Sequence, residues 1–113
     1  MKHITIDESM ELFVGTLRHC GVHLLEMSDD DIGYYIFEEF DGGAISFLHE
    51  YTLSRLREAK LITEEVSQKS AELRYKFMAL IDTPLWDVDS VKVSEEWRAI
   101  LELSDEIKAL LGL

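Results

Sequence analysis

Ser28–Gly43, SDDDIGYYIFEEFDGG, carries six acids and no base, so half of the chain's net charge of −12 falls in sixteen residues. At 100° per residue, Ile32, Ile36 and Phe40 share one stripe, while Asp30, Asp31, Tyr34, Glu38 and Asp41 gather within about 100° on nearly the opposite side. The segment therefore reads as a helix with one face to pack and one to present. Ser28 is the expected N-cap, Asp29 and its neighbours complement the helix dipole, and Gly42 is the expected stop.

Outward from this segment the same period continues. Thr5-Ile-Asp-Glu8 has the spacing of a capping box, and Ile6, Met10, Phe13, Val14 and Leu17 follow it, predicting a helix from about residue 6 to about residue 20, ended by Gly21. Gly15 inside that helix points to close approach of a neighbour or to simple tolerance of a poor helix former, the first being favoured. After Gly42-Gly43, the stripe of Ile45, Leu48, Thr52, Leu56 and Ala59, widened by Phe47 and Tyr51, predicts a long central helix from Ala44 to about Lys60. Thr63 caps a fourth helix to about Ile81, with Val66, Ser70, Leu73, Phe77 and Leu80 inward and Lys69, Glu72, Arg74 and Lys76 outward. Thr83-Pro84 stops it. LWDVDSVKVS, residues 85–94, reads as a loop that buries Leu85 or Trp86, because Val88, Val91 and Val93 have no second strand to pair with. Ser94 caps a last helix with Trp97, Ile100, Leu101, Ser104, Ile107 and Leu111 inward.

The expectation is an all-α fold: a compact bundle of about five helices, residues 1–113 forming a single helical domain. With 113 residues, 47% hydrophobic, the chain has material for one core. No apolar run approaches the roughly 18 residues of a bilayer span. MKHITIDES has one lysine and no apolar stretch, so neither a secretory signal nor a transit peptide fits, and the expected compartment is the cytoplasm. A lone cysteine, Cys20, agrees with a reducing environment.

The chemistry-bearing patterns are sparse. His19-Cys20-x-x-His23 puts two histidines four apart around a good zinc ligand, but Gly21 interrupts the helix between them and no further ligand pair completes a set; helix-end packing is expected, with no metal. His49 and Glu50 are adjacent, so on a helix they point about 100° apart, and no nucleophile accompanies them. Phosphate-binding glycine motifs are absent. No catalytic residue and no cofactor are expected, and the chain is read as a non-enzyme.

Charge supplies the functional signal. Residues 1–50 hold 11 acids and 2 bases, and the rest of the chain holds 12 and 9. Such a field repels nucleic acid and anionic lipid and draws basic proteins in. The expected partner-binding residues are Asp29, Asp30, Asp31, Tyr34, Tyr35, Glu38 and Asp41, aromatics supplying binding energy and carboxylates supplying speed. Asp82, Asp87, Asp89, Glu95 and Glu96 form a second acidic concentration.

Asp29, Asp30, Asp31, Tyr34 and Tyr35 together resemble the toxin-binding helix of bacterial immunity proteins, the small acidic helical proteins that neutralise colicin DNases or contact-dependent inhibition toxins. The resemblance covers about a dozen residues. It implies a basic nuclease toxin domain as partner, with carboxylates standing where phosphates would lie and no direct contact with nucleic acid or membrane. A nucleic-acid-mimic inhibitor of a DNA-binding protein, and a small regulatory domain whose charge serves solubility alone, are the alternatives.

Overall fold

Thr5 closes the box predicted for it: its Oγ1 accepts the Glu8 N–H and its own N–H donates to Glu8 Oε1, both at 3.1 Å. From this cap a computed structural model of the chain, which describes residues 4–113, builds helix α1, Ile6–Arg18. A short 3₁₀ turn, Val22–Glu26, buries Leu24. Then follow α2, Asp29–Tyr34; a π-helical segment, Tyr35–Phe40; α3, Asp41–Phe47; α4, Glu50–Glu58; α5, Glu64–Met78; α6, Val88–Val93; and α7, Glu95–Leu110. Among the described residues there is no strand. Lys2 of the N-terminal segment lies outside the described residues.

The all-α bundle is the predicted architecture. α7 runs along α5 and α1, α4 bridges α5 and α1, α3 lies on α1, and α6 bridges α7 and α2. Phe13, Leu17, Ile36, Phe40, Leu73, Phe77, Trp97 and Ile107 are among the fully buried core. A radius of gyration of 13.7 Å matches a compact domain of this length.

Three local expectations are overturned. First, Gly42 does not stop the acidic helix. Tyr34, Tyr35, Phe40 and Asp41 all have right-handed helical dihedrals, so residues 29–47 form one rod, and Gly42 and Gly43 lie inside it. The expected helix from Ala44 to about Lys60 is instead split at Leu48-His49. That break is stabilised from outside: Arg74 Nε donates to Ala44 O at 3.0 Å, and Thr52 Oγ1 donates to Ser46 O at 2.9 Å, satisfying carbonyls left open at the end of α3. His49 Nδ1 accepts the Tyr51 N–H at 3.1 Å and caps α4. Arg74, expected on an ordinary solvent face, is therefore a structural donor; Ile45, Tyr51 and Ala59 of the expected inner stripe are exposed.

Second, close packing occurs at Gly43, not at Gly15. A Cβ at Gly43 would lie 2.7 Å from Thr16 Cγ2 and 2.9 Å from Thr16 Cβ, whereas one at Gly15 would meet nothing within 4 Å. Because Thr16 obstructs with its whole β-branched side chain, rotation offers no relief. Gly43→Ala should destabilise by about 1–3 kcal/mol, and adding Thr16→Ala should restore only part of that, since alanine keeps the Cβ at 2.9 Å, as urea unfolding of the two singles and the double will show.

Third, residues 88–93 are helical rather than looped. Asp87 Oδ1 accepts the Ser90 N–H at 2.7 Å and so caps α6. Leu85 and Trp86 are both half-buried, where burial of one or the other was expected. The hydrogen bonds from Ser90, backbone first, hold the Asp87 carboxyl below the usual carboxylate range. A depressed folded-state value means this contribution is complete above the unfolded value near 4 and disappears as pH falls through the folded one. Asp87→Asn keeps a capping oxygen without titrating. Its melting temperature should therefore fall less steeply than that of the parent between about pH 5 and about pH 3.

Candidate functional site

The π-helical segment decides what the acidic face looks like. Its i→i+5 bonding brings residues five apart over one another, where an α-helix would separate them. Tyr34 Oη accordingly donates to Glu39 Oε1, a contact an uninterrupted α-helix would not make. That bond, followed by the Glu39 charge, raises the Tyr34 phenol above its ordinary value and keeps it a donor. Tyr35 packs edge-on to Tyr34 at 5.4 Å and stacks on the His19 ring at 5.6 Å. His19 Nε2 lies 3.8 Å from Glu39 Oε2.

Each residue named from the sequence now has a place. Tyr34 is 44% exposed on the outer face. Asp30, Asp31 and Glu38 are exposed, Tyr35 and Asp41 half-buried. Asp29 is exposed but already committed to Lys92 Nζ at 2.9 Å. Among the described residues, Asp30, Asp31, Glu38 and Asp41 form no ion pair. Asp29, Asp30 and Asp31 stand in a first turn, where the helix dipole accounts for them. Glu38, Glu39 and Asp41 stand in the middle of a continuous helical rod, where it does not.

The α6 part of the second acidic concentration, Asp87 and Asp89, adjoins the first. α6 packs against α2, with Val88 Cγ2 3.5 Å from the position of a Cβ on Gly33, and Lys92 joins α6 to Asp29. Lys92 is held above its ordinary value by the Asp29 hydrogen bond and charge, with Asp89 adding to them. Asp82, Asp87, Asp89, Glu95 and Glu96 are all exposed.

Glu39 and a groove beside it were not singled out from the sequence. The groove, about 300 Å³, runs between α1 and the rod and is bordered by Glu11, Gly15, His19, Glu38, Glu39 and Gly42, with Leu12 and Phe47 among its apolar walls. The spacing of buried residues held the missing signal. Ile32, Ile36, Phe40, Ala44 and Leu48 recur every four residues, and at 3.6 residues per turn such a set drifts 40° per step. Only an under-wound helix keeps it facing one way.

The His19-Cys20-x-x-His23 run is dispersed. His19 faces the rod, Cys20 is buried, and His23 is exposed. Burial pushes the Cys20 thiol up to about 12, against the opposing pull of Ser104 and Lys108, which leaves it a core side chain. Its carbonyl accepts from Ser104 Oγ and from Lys108 Nζ, both at 2.8 Å, while Asp105 Oδ2 accepts the Val22 N–H at 3.0 Å. The run thus ends α1 on a polar clasp from α7, and a Cβ at Gly21 would press only on the movable ends of the Asp105, His23 and Lys108 side chains. Among the described residues no three His, Cys, Asp or Glu side chains gather as a metal site, and no helix is long and apolar enough to cross a membrane.

The chain matches no known family model, no curated protein and no solved structure.

Proposed function

We propose that this protein is an immunity-type inhibitor that binds and neutralises a basic protein, a bacterial nuclease toxin domain, through the acidic and tyrosine-bearing face of the 29–47 rod. The observation that carries this reading is the exposed Tyr34 set on a face where Asp30, Asp31, Glu38 and Asp41 form no ion pair among the described residues and where Glu38 and Asp41 have no helix dipole to complement. Uncompensated like charge gathered on one face opposes folding through self-repulsion and speeds encounter with a cationic surface. Tyrosine at the centre of such a face supplies the buried contact that slows departure. Carboxylates laid over a nuclease's phosphate-binding groove would exclude its nucleic acid by occupying the same positive field.

The test immobilises the chain, loads a bacterial lysate at about 50 mM salt, and elutes at 1 M, where screening shortens to about 3 Å. The eluted cationic protein is assayed for nucleic-acid cleavage with and without one equivalent of the chain. Stoichiometric loss of cleavage is expected. Retention of no basic protein, or retention of one whose cleavage is unaffected at equivalence, would overturn the proposal.

A further inference from the structure

Gly15 and Gly42 both lie inside helices, where glycine is a poor former, and neither has the packing reason that Gly43 has against Thr16. A Cβ at either would meet nothing within 4 Å. Both border the same groove between α1 and the rod. Bare backbone facing open space at two sites on opposite helices is what the fold leaves unexplained, and close approach of another group to backbone is a standard use of glycine.

The chemistry of the groove specifies that group. Leu12 and Phe47 supply apolar walls, while Glu11 and Glu38 stand at its border without an ion pair among the described residues. We infer that the groove receives one arginine or lysine side chain of the basic partner, its methylene stem lying over Gly15 and Gly42 and its cationic head between Glu11 and Glu38. Long cationic side chains bury their stems along apolar surface while the head finds charge, and a guanidinium pairs with carboxylates through its planar fork. An anionic or neutral apolar occupant would leave these carboxylates desolvated and uncompensated. The inference rests on the reading that this face binds a basic protein and specifies where the partner's anchoring cation goes.

The experiment uses hexa-arginine peptide as probe, with binding followed by calorimetry at about 50 mM salt and mapped by amide chemical shifts. The parent chain should bind, with shifts at Gly15 and Gly42. Gly15→Leu/Gly42→Leu fills the groove with better helix formers, so it should melt no lower than the parent and bind at least tenfold more weakly. Should that double variant fail to fold, Glu11→Gln/Glu38→Gln, with the glycines intact, should show the same loss. Undiminished binding by a folded variant of either kind, or shifts confined to Asp29–Tyr34, overturns the groove and leaves the acidic-face reading standing. No binding of the peptide by the parent overturns both.

Discussion

Replacing Trp97 with alanine is expected to destabilise the protein by about 3–5 kcal/mol, a large share of the roughly 5–15 kcal/mol that holds a domain of this kind folded. Trp97 is fully buried on α7. Its ring meets Phe37, Phe77 and Trp86 at centroid distances of 5.8 Å, and Phe37, Phe40 and Trp86 close further edge-on or tilted contacts around the same point. Elements far apart in sequence, the π segment, α5, the 79–87 connection and α7, therefore converge on one side chain. Truncation removes the ring, opens a cavity that three aromatic neighbours cannot all collapse into, and strips Leu85 O of the indole N–H that donates to it at 2.7 Å. Trp97→Phe separates these effects, since it retains ring contact and loses the donor; it should cost roughly 1–3 kcal/mol. The measurement is the urea midpoint at unchanged slope. A loss below about 1 kcal/mol for the alanine variant would show that the aromatic cluster does not organise the core.

Helix starts were legible because capping is local chemistry. Thr5, Ser28, Thr63 and Ser94 each cap the helix predicted after them, through bonds to N–H groups three residues on. What the sequence obscured depends on contacts from elsewhere in the chain. Gly42-Gly43 has the composition of a break, yet Gly43 is there to admit Thr16, and the true break at Leu48-His49 is supported by Arg74 from a helix not yet in view. Residues 85–94 read as a loop because Val88, Val91 and Val93 had no second strand to pair with, and it is the Asp87 cap together with packing on α2 and α7 that settles six residues into a helix too short to stand alone. In the candidate site, the acids and Tyr34 were legible as a face. Glu39 was not, because its place beside Tyr34 follows from the π winding, and the groove with its open glycines follows from the approach of α1.

That face yields the other large effect, because local and global charge can be told apart. Asp30→Lys/Asp31→Lys/Glu38→Lys reverses three exposed carboxylates. Glu58→Lys/Glu65→Lys/Glu72→Lys reverses three exposed carboxylates on α4 and α5. Each triple moves the net charge of −12 by the same amount, so a partner drawn merely by overall charge must respond equally to both. Electrostatic steering raises association rates by about 10–10³-fold, and its local part acts within a Debye length of roughly 10 Å at 0.1 M salt. The first triple should therefore slow association with the captured basic protein by at least about tenfold at low salt, and the second by no more than a few-fold. In 1 M salt the gap between them should close, since screening removes the attraction that both variants perturb. Tyr34→Ala tests the other half of the division of labour: an aromatic anchor acts after encounter, so dissociation should quicken by about tenfold while association changes little. Stopped-flow association and surface-bound dissociation kinetics measure the two separately. Equal slowing by both triples would reduce the acidic rod to part of a diffuse field, and a Tyr34→Ala variant that departs as slowly as the parent would remove the tyrosine from the interface.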